Sequence, residues 1–207
     1  VVTALPPVPP VVWIGGLVVI AFVSTVRIVV AARTLRHAER APDDVQHLVA
    51  EAARRIGLRN VPPAMMVDLP VSPMVWCGRR TRLVLPRRLW NELDATGRNA
   101  VILHELAHLK RRDHWVCRIL ALLTIVYWWH PVAWIASRRL DEEADFCCDA
   151  WVTSLLPGER RAYAQAILDT KSYISNSRRP APSLALGVTS GGARRLSRRL
   201  TMVLTEH

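Results

Sequence analysis

The chain has 207 residues, 51% of them apolar, and a formal net charge of +11 from 28 Lys and Arg against 17 Asp and Glu. That length holds one sizeable domain plus a membrane segment. Four cysteines (Cys77, Cys117, Cys147, Cys148) have neither the density nor the spacing of a disulfide scaffold or a zinc knuckle, so they read as reduced, mostly buried thiols. The basic residues are dispersed in pairs such as Arg54-Arg55 and Arg138-Arg139, without a nucleic-acid motif. Basic charge and positive mean hydropathy together point to anionic membrane lipid as a partner, and no direct nucleic-acid partner is expected.

Residues 1–33 read as an N-terminal segment carrying a transmembrane helix over about 11–32, an almost unbroken apolar run whose only charge is Arg27. No charge precedes it, whereas Arg33, Arg36 and Arg40 follow closely, so the positive-inside rule predicts that the rest of the chain is cytoplasmic. There is no basic segment ahead of the run and no small-residue cleavage pattern behind it, which argues against a signal peptide. A start at Val1 reads as a piece of a longer protein.

Asp43-Asp44-Val45-Gln46 resembles a capping box, and Val45, Leu48, Val49, Ala52 and Ile56 keep helical spacing up to Gly57. Met65 to Asp68 and Thr81 to Leu85 are short β-like runs, with a hairpin or small sheet expected around Val75-Trp76-Cys77. Such a sheet beside a helix could offer an edge to an extended peptide, or simply pack there. A helix is predicted from Asp94 to about Arg112, then an apolar, Trp-rich run over 116–136 that His130-Pro131 should end or kink. Further helices are predicted from Pro131 or Val132 to Asp149, from Glu159 to Ile174, and from Ala193 to about Thr205. A Ser/Pro/Gly-rich loop over 176–192 precedes the last. That helix has an arginine face (Arg194, Arg195, Arg198, Arg199) suited to solvent or anionic lipid.

The helix from Asp94 contains His104-Glu105-Leu106-Ala107-His108. Two imidazoles at i and i+4 share one helical face and can reach one zinc ion, with Glu105 placed as general base. A catalytic zinc needs a third protein ligand. His114 and His130 are available, but His114 follows without the Gly turn that lets a chain double back. The acidic cluster Asp141-Glu142-Glu143-Ala144-Asp145, continuing through Phe146-Cys147-Cys148 to Asp149, offers a carboxylate on a later helix and is the favoured source.

HELAHLKRRDHW, the apolar stretch ending in His130-Pro131-Val132-Ala133-Trp134, and RRLDEEADFCCDAWV together resemble the BlaR/MecR-type family of bacterial membrane metallopeptidases, whose founding members sense β-lactams. GRRTRLVLP upstream and RRLSRRLTMVL at the end match as well, so the resemblance covers roughly residues 40 to 205. It implies a third zinc ligand three residues before Cys148-Asp149, at Asp145, where the family carries glutamate. Aspartate is one methylene shorter and reaches roughly an ångström less far. Glu142, almost one turn earlier, is the alternative ligand, and Asp149, one turn later, is placed to orient a histidine ligand. If His104 and Asp145 meet at one ion, the 116–136 segment cannot cross a membrane completely and must fold back near His130-Pro131.

The expected fold is therefore α+β and mainly helical: a zincin-like, gluzincin-like metallopeptidase domain over 40–207 with a small β-sheet and a membrane-associated apolar segment, 116–136, preceded by the transmembrane helix. The expected function is a zinc endopeptidase of the bacterial inner membrane facing the cytoplasm. By resemblance its substrate is a regulator such as a transcriptional repressor, or the protein itself. The alternative is a weak or inactive transducer that keeps the fold. Tyr163, His130 or an arginine of the last helix could stabilise the oxyanion.

Overall fold

The computed structural model describes residues 9–78, 80–176 and 192–205. Helix α1, Pro10–Thr34, has a window of mean hydropathy 2.3 that is long and apolar enough to cross a membrane. Only 11% of that window is buried against the rest of the chain, so its Val, Ile and Phe side chains face outward. After a short turn over Leu35–His37, strand β1 (Glu39–Arg40) pairs antiparallel with β2 (Ala64–Val67), and helix α2 (Asp43–Ile56) lies between them in sequence. β3 (Met74–Cys77) and β4 (Thr81–Pro86) form the expected hairpin, Val75 opposite Leu83. β2 runs parallel to β4, giving a four-stranded mixed sheet of order β1-β2-β4-β3. Neither β1 nor the parallel pairing has a local sequence signal.

Alternation along these strands divides the core. Ala64, Met66, Leu83 and Leu85 point into the main cluster with α2, whereas Val67 and Val84 face the other side, where Leu35 and Val71 cover them. Leu35 thereby fixes the end of the apolar helix to the sheet. The predicted capping box is not formed: Pro42 is the N-cap and no side chain caps the helix. Gln46 is drawn away instead, its amide donating to the carbonyls of Ala41 and Ala64 and its oxygen accepting from Ala64 N–H. Satisfying strand backbone outweighs a helix end that water can reach.

Helix α3 (Arg87–Glu92), not anticipated, leads to the central helix α4, Ala95–Arg111. Asp94 caps α4, Oδ1 accepting from Gly97 N–H at 2.6 Å. A Cβ at Gly97 would stand 2.8 Å from that oxygen and 3.3 Å from Ala166 Cβ, so glycine is needed there. Ala100, Ile102, Leu103, Leu106 and Ala107 are all fully buried, whereas His104, Glu105 and His108 are half-buried. α4 packs against α2 and two later helices, α6 (Pro131–Leu155) and α7 (Arg160–Ser175).

At Arg112 the backbone turns left-handed (φ 63°) and α5, Asp113–Val126, starts at once. The apolar run is thus a helical hairpin, α5 reversing over residues 127–130 into α6, with the fold-back at His130-Pro131 as expected. Trp13 of α1 donates to the carbonyl of Val126, and Trp128 lies where a Cβ on Gly16 would sit, so α1 packs on the hairpin tip. α6 continues six residues past its expected end at Asp149, because Val152 and Leu156 still fill the main core. α8 (Gly192–Leu204) closes the domain; the predicted loop over 176–192 lies, for 177–191, outside the described residues. The expectation of mostly buried thiols fails: Cys148 alone is buried, while Cys117 and Cys147 are exposed on the helical hairpin and α6.

A positive φ disfavours a residue with a Cβ and most of all a β-branched one. Arg112→Val is expected to lower unfolding stability by about 1–2 kcal/mol, with Arg112→Gly at or above wild type, measured by denaturant titration.

Candidate metal centre

His104 and His108 lie one turn apart on α4 with their Nε2 atoms 3.3 Å from each other. Asp145 of α6 places Oδ1 3.5 Å from His108 Nε2. The three ligand atoms all lie within 4.8 Å of one another. Two ligands bound tetrahedrally to zinc at about 2.0–2.1 Å stand about 3.3 Å apart, so these spacings fit one shared ion. Asp145 is short, but α6 runs close enough for it.

The other nitrogen of each ring is held by a carboxylate. His108 Nδ1 donates to Asp113 Oδ2 at 2.8 Å, and Asp113, the first residue of α5, is itself buried. His104 Nδ1 stands 3.1 Å from Asp149 Oδ1 and 2.9 Å from the Tyr163 hydroxyl, which in turn donates to Asp149 Oδ1 at 2.5 Å. Each Nδ1 donating to its carboxylate turns the ring so that Nε2 faces the same point. Asp149 is fully buried and takes two further hydrogen bonds, from Nε and Nη2 of Arg199, at 2.7 Å each. Arg195 Nη2 donates to Asp145 Oδ2 at 2.5 Å.

The carboxylates of the site are paired with histidines and arginines. Burial by itself would lower His108, but hydrogen bonds with Asp145 and Cys148 and the charge of Glu105 push it up to about 12. Desolvation would raise Asp145 and Asp149; the facing histidines and Arg199 hold both below the ordinary carboxylate range instead. Glu105 goes the other way: burial pushes its carboxyl up, and the neighbouring His104 and His108 only partly offset that.

Glu142 pairs with Arg139 at 3.7 Å and is not part of the ligand group. His114 stacks near Trp115, and His130 caps α6 by accepting from Val132 N–H. His130 is about 22 Å along α6 from Asp145, too far to serve as an oxyanion stabiliser. Tyr163 fails in that role as well, since its hydroxyl lies behind His104, against Nδ1 and Asp149. The arginine face of α8 also reads differently, because Arg195 and Arg199 turn inward while Arg194 and Arg198 stay exposed. Sequence reasoning missed Asp113 as a histidine partner. Its position five residues after His108 becomes productive only through the left-handed turn at Arg112, a conformation that an arginine does not advertise.

Residues 6–203 match the family described as BlaR1 peptidase M56. The chain belongs to this metallopeptidase family. It is 31% identical over 134 residues to "Regulatory protein BlaR1" of Bacillus licheniformis, a match covering 64% of this chain and 22% of that protein. The "Methicillin resistance mecR1 protein" of Staphylococcus aureus is 26% identical over 98 residues, 47% of this chain and 17% of its own, and the Staphylococcus epidermidis protein of that name gives the same figures. The chain thus spans about a fifth of the length of the curated relatives it matches.

With His108 holding its proton up to about 12, zinc uptake near neutral pH must displace that proton. Zinc titrated into the chelator-treated BlaR1-family domain at pH 7.5 is expected to release about one proton per ion, and the apparent affinity to rise about tenfold per pH unit across the neutral range. Calorimetry in buffers of different ionisation enthalpy measures it; zinc uptake without proton release would contradict this picture of His108.

Proposed function

We propose that this chain is the catalytic part of a membrane-anchored, zincin-like zinc endopeptidase with His104, His108 and Asp145 as metal ligands. The observation that carries the reading is the convergence of two Nε2 atoms 3.3 Å apart with Asp145 Oδ1 3.5 Å from His108, each histidine backed by a carboxylate. Zinc held there supplies the Lewis acidity that makes water a nucleophile near neutral pH. Glu105, beside His104 on the same helix, would accept a proton from the attacking water and return it to the leaving amine. Its raised proton affinity suits both halves of the exchange. Asp149 and Asp113 keep the two rings in one tautomer and one orientation. The short Asp145 is the feature that would favour a non-catalytic transducer, and its distance from His108 counts against that reading.

The proposed setting is the bacterial inner membrane, with α1 crossing it and the domain over residues 40–207 on the cytoplasmic side, where the exposed Arg33, Arg36 and Arg40 follow the apolar helix. The α5–α6 hairpin dips into the near leaflet and returns. Its support is a continuous run of exposed apolar side chains, among them Val116, Ile119, Leu122, Val132 and Ile135. The relatives' names speak of regulation and methicillin resistance, and accordingly we place the substrate among cytoplasmic regulators such as a transcriptional repressor, or in the protein itself. An extended peptide could lie along the edge strand β3, which packs beside α4.

Purified protein is expected to carry stoichiometric zinc that is lost in His104→Ala and kept in Glu105→Gln. In cells, Glu105→Gln should reduce self-cleavage or repressor cleavage by about 10²–10⁴-fold. Cleavage unchanged in Glu105→Gln would remove the peptidase assignment.

A further inference from the structure

Two arginines of α8 reach the site from a helix that carries none of the ligands. Arg195 and Arg199 are four residues apart, as are Asp145 and Asp149 on α6, so each helix sets its pair on one face a turn apart. The pairs meet in register. Arg195 Nη2 donates to Asp145 Oδ2 at 2.5 Å and also to the Asp141 carbonyl, one turn back on α6, at 3.3 Å. Arg199 grips both oxygens of Asp149 and places Nη1 3.4 Å from Asp145 Oδ2. Leu196, Leu200 and the fully buried Val203 seat α8 in the main core, so the guanidinium groups are held by an anchored helix.

We infer that Arg195 and Arg199 are positioning residues for the metal centre: Arg195 holds one oxygen of Asp145 so that Oδ1 alone faces the histidines, and Arg199 ties Asp145 to Asp149. The inference rests on the metallopeptidase reading above. An aspartate carboxylate turns about a broad, two-fold torsion and can offer either oxygen, or both, to a cation. With Oδ2 engaged by Arg195, that rotation breaks a charge-assisted hydrogen bond, and Oδ1 stays 3.5 Å from His108 Nε2. Holding the carboxylate in this way matters most for a ligand one methylene short. Through Arg199 the same clamp includes Asp149, the partner of His104, so two of the three ligands are oriented by one helix.

Charge and positioning predict opposite signs. A guanidinium acting only as a nearby cation would repel zinc, and its removal would tighten binding; a positioning group weakens binding when lost. The test compares the full chain with Arg195→Met, with Arg195→Gln (a donor without charge), and with Arg194→Met on the exposed side of α8. Zinc affinity is read by chelator competition and ligand geometry by the visible spectrum of bound Co²⁺. Arg195→Met is expected to bind zinc about 10–100-fold more weakly with an altered Co²⁺ spectrum, Arg195→Gln to fall between it and wild type, and Arg194→Met to match wild type. Should Arg195→Met fail to fold, Arg195→Gln decides by the same sign. Affinity equal to or tighter than wild type in the Arg195 variants overturns this inference and leaves the peptidase reading standing. Absence of metal binding in wild type overturns both.

Discussion

Each histidine of α4 is gripped from behind by a carboxylate, and the geometry of the centre depends on that grip. Asp113 holds His108 at Nδ1 and Asp149, with Tyr163, holds His104 at Nδ1, so both rings must turn Nε2 to the same point. An imidazole on a free side chain has two tautomers and rotates about a broad torsion. Here both freedoms are removed before any ion arrives. The two orienting carboxylates come from different helices, α5 and α6, and the tyrosine from a third, α7, so the site is assembled by the fold as a whole.

Gathering so many carboxylates in one interior is costly unless each charge has a partner. Asp149 has no solvent exposure, and it is matched by a bidentate arginine, a tyrosine hydroxyl and a histidine. Asp113 is matched by His108 and the guanidinium of Arg111, and accepts a hydrogen bond from the Cys148 thiol at 3.9 Å. Asp145 divides its oxygens between His108 and the α8 arginines. Among the described residues Glu105 has no comparable ion pair, and burial raises its proton affinity, whereas the facing histidines and Arg199 hold Asp145 and Asp149 below the ordinary carboxylate range. The same acidic side-chain chemistry thus anchors charge at three positions and, in the proposed reading, transfers a proton at the fourth.

The hydrophobic organisation brings these charges together. α5 leaves α4 at the site, runs outward with an exposed apolar face, and α6 returns by the same route to deliver Asp145 and Asp149. α1 leans on the tip of that hairpin through Trp13 and Trp128 and on the sheet through Leu35. The apolar helix is thus connected to α6 along packed side chains, with the candidate metal centre at the hairpin's base.

Read from residues alone, the chain disclosed the two-histidine motif, Glu105, the later acidic helix, the apolar N-terminal helix and the helix break at His130-Pro131. These signals are local: they rest on helical periodicity, on proline and on runs of apolar side chains, each visible within a few turns. Resemblance added Asp145 and Asp149. Tertiary structure decided what spacing cannot carry. It showed that α6 brings Asp145 Oδ1 to 3.5 Å from His108 Nε2, that Glu142 pairs with Arg139 instead, and that Arg112 adopts a left-handed turn that brings Asp113 under His108. It also turned Tyr163 from a candidate oxyanion stabiliser into a support for His104, and moved Arg195 and Arg199 from an outer basic face into the site. Each of these depends on the distance and facing of two elements far apart in sequence, quantities that helical and strand periodicity within one element leave open.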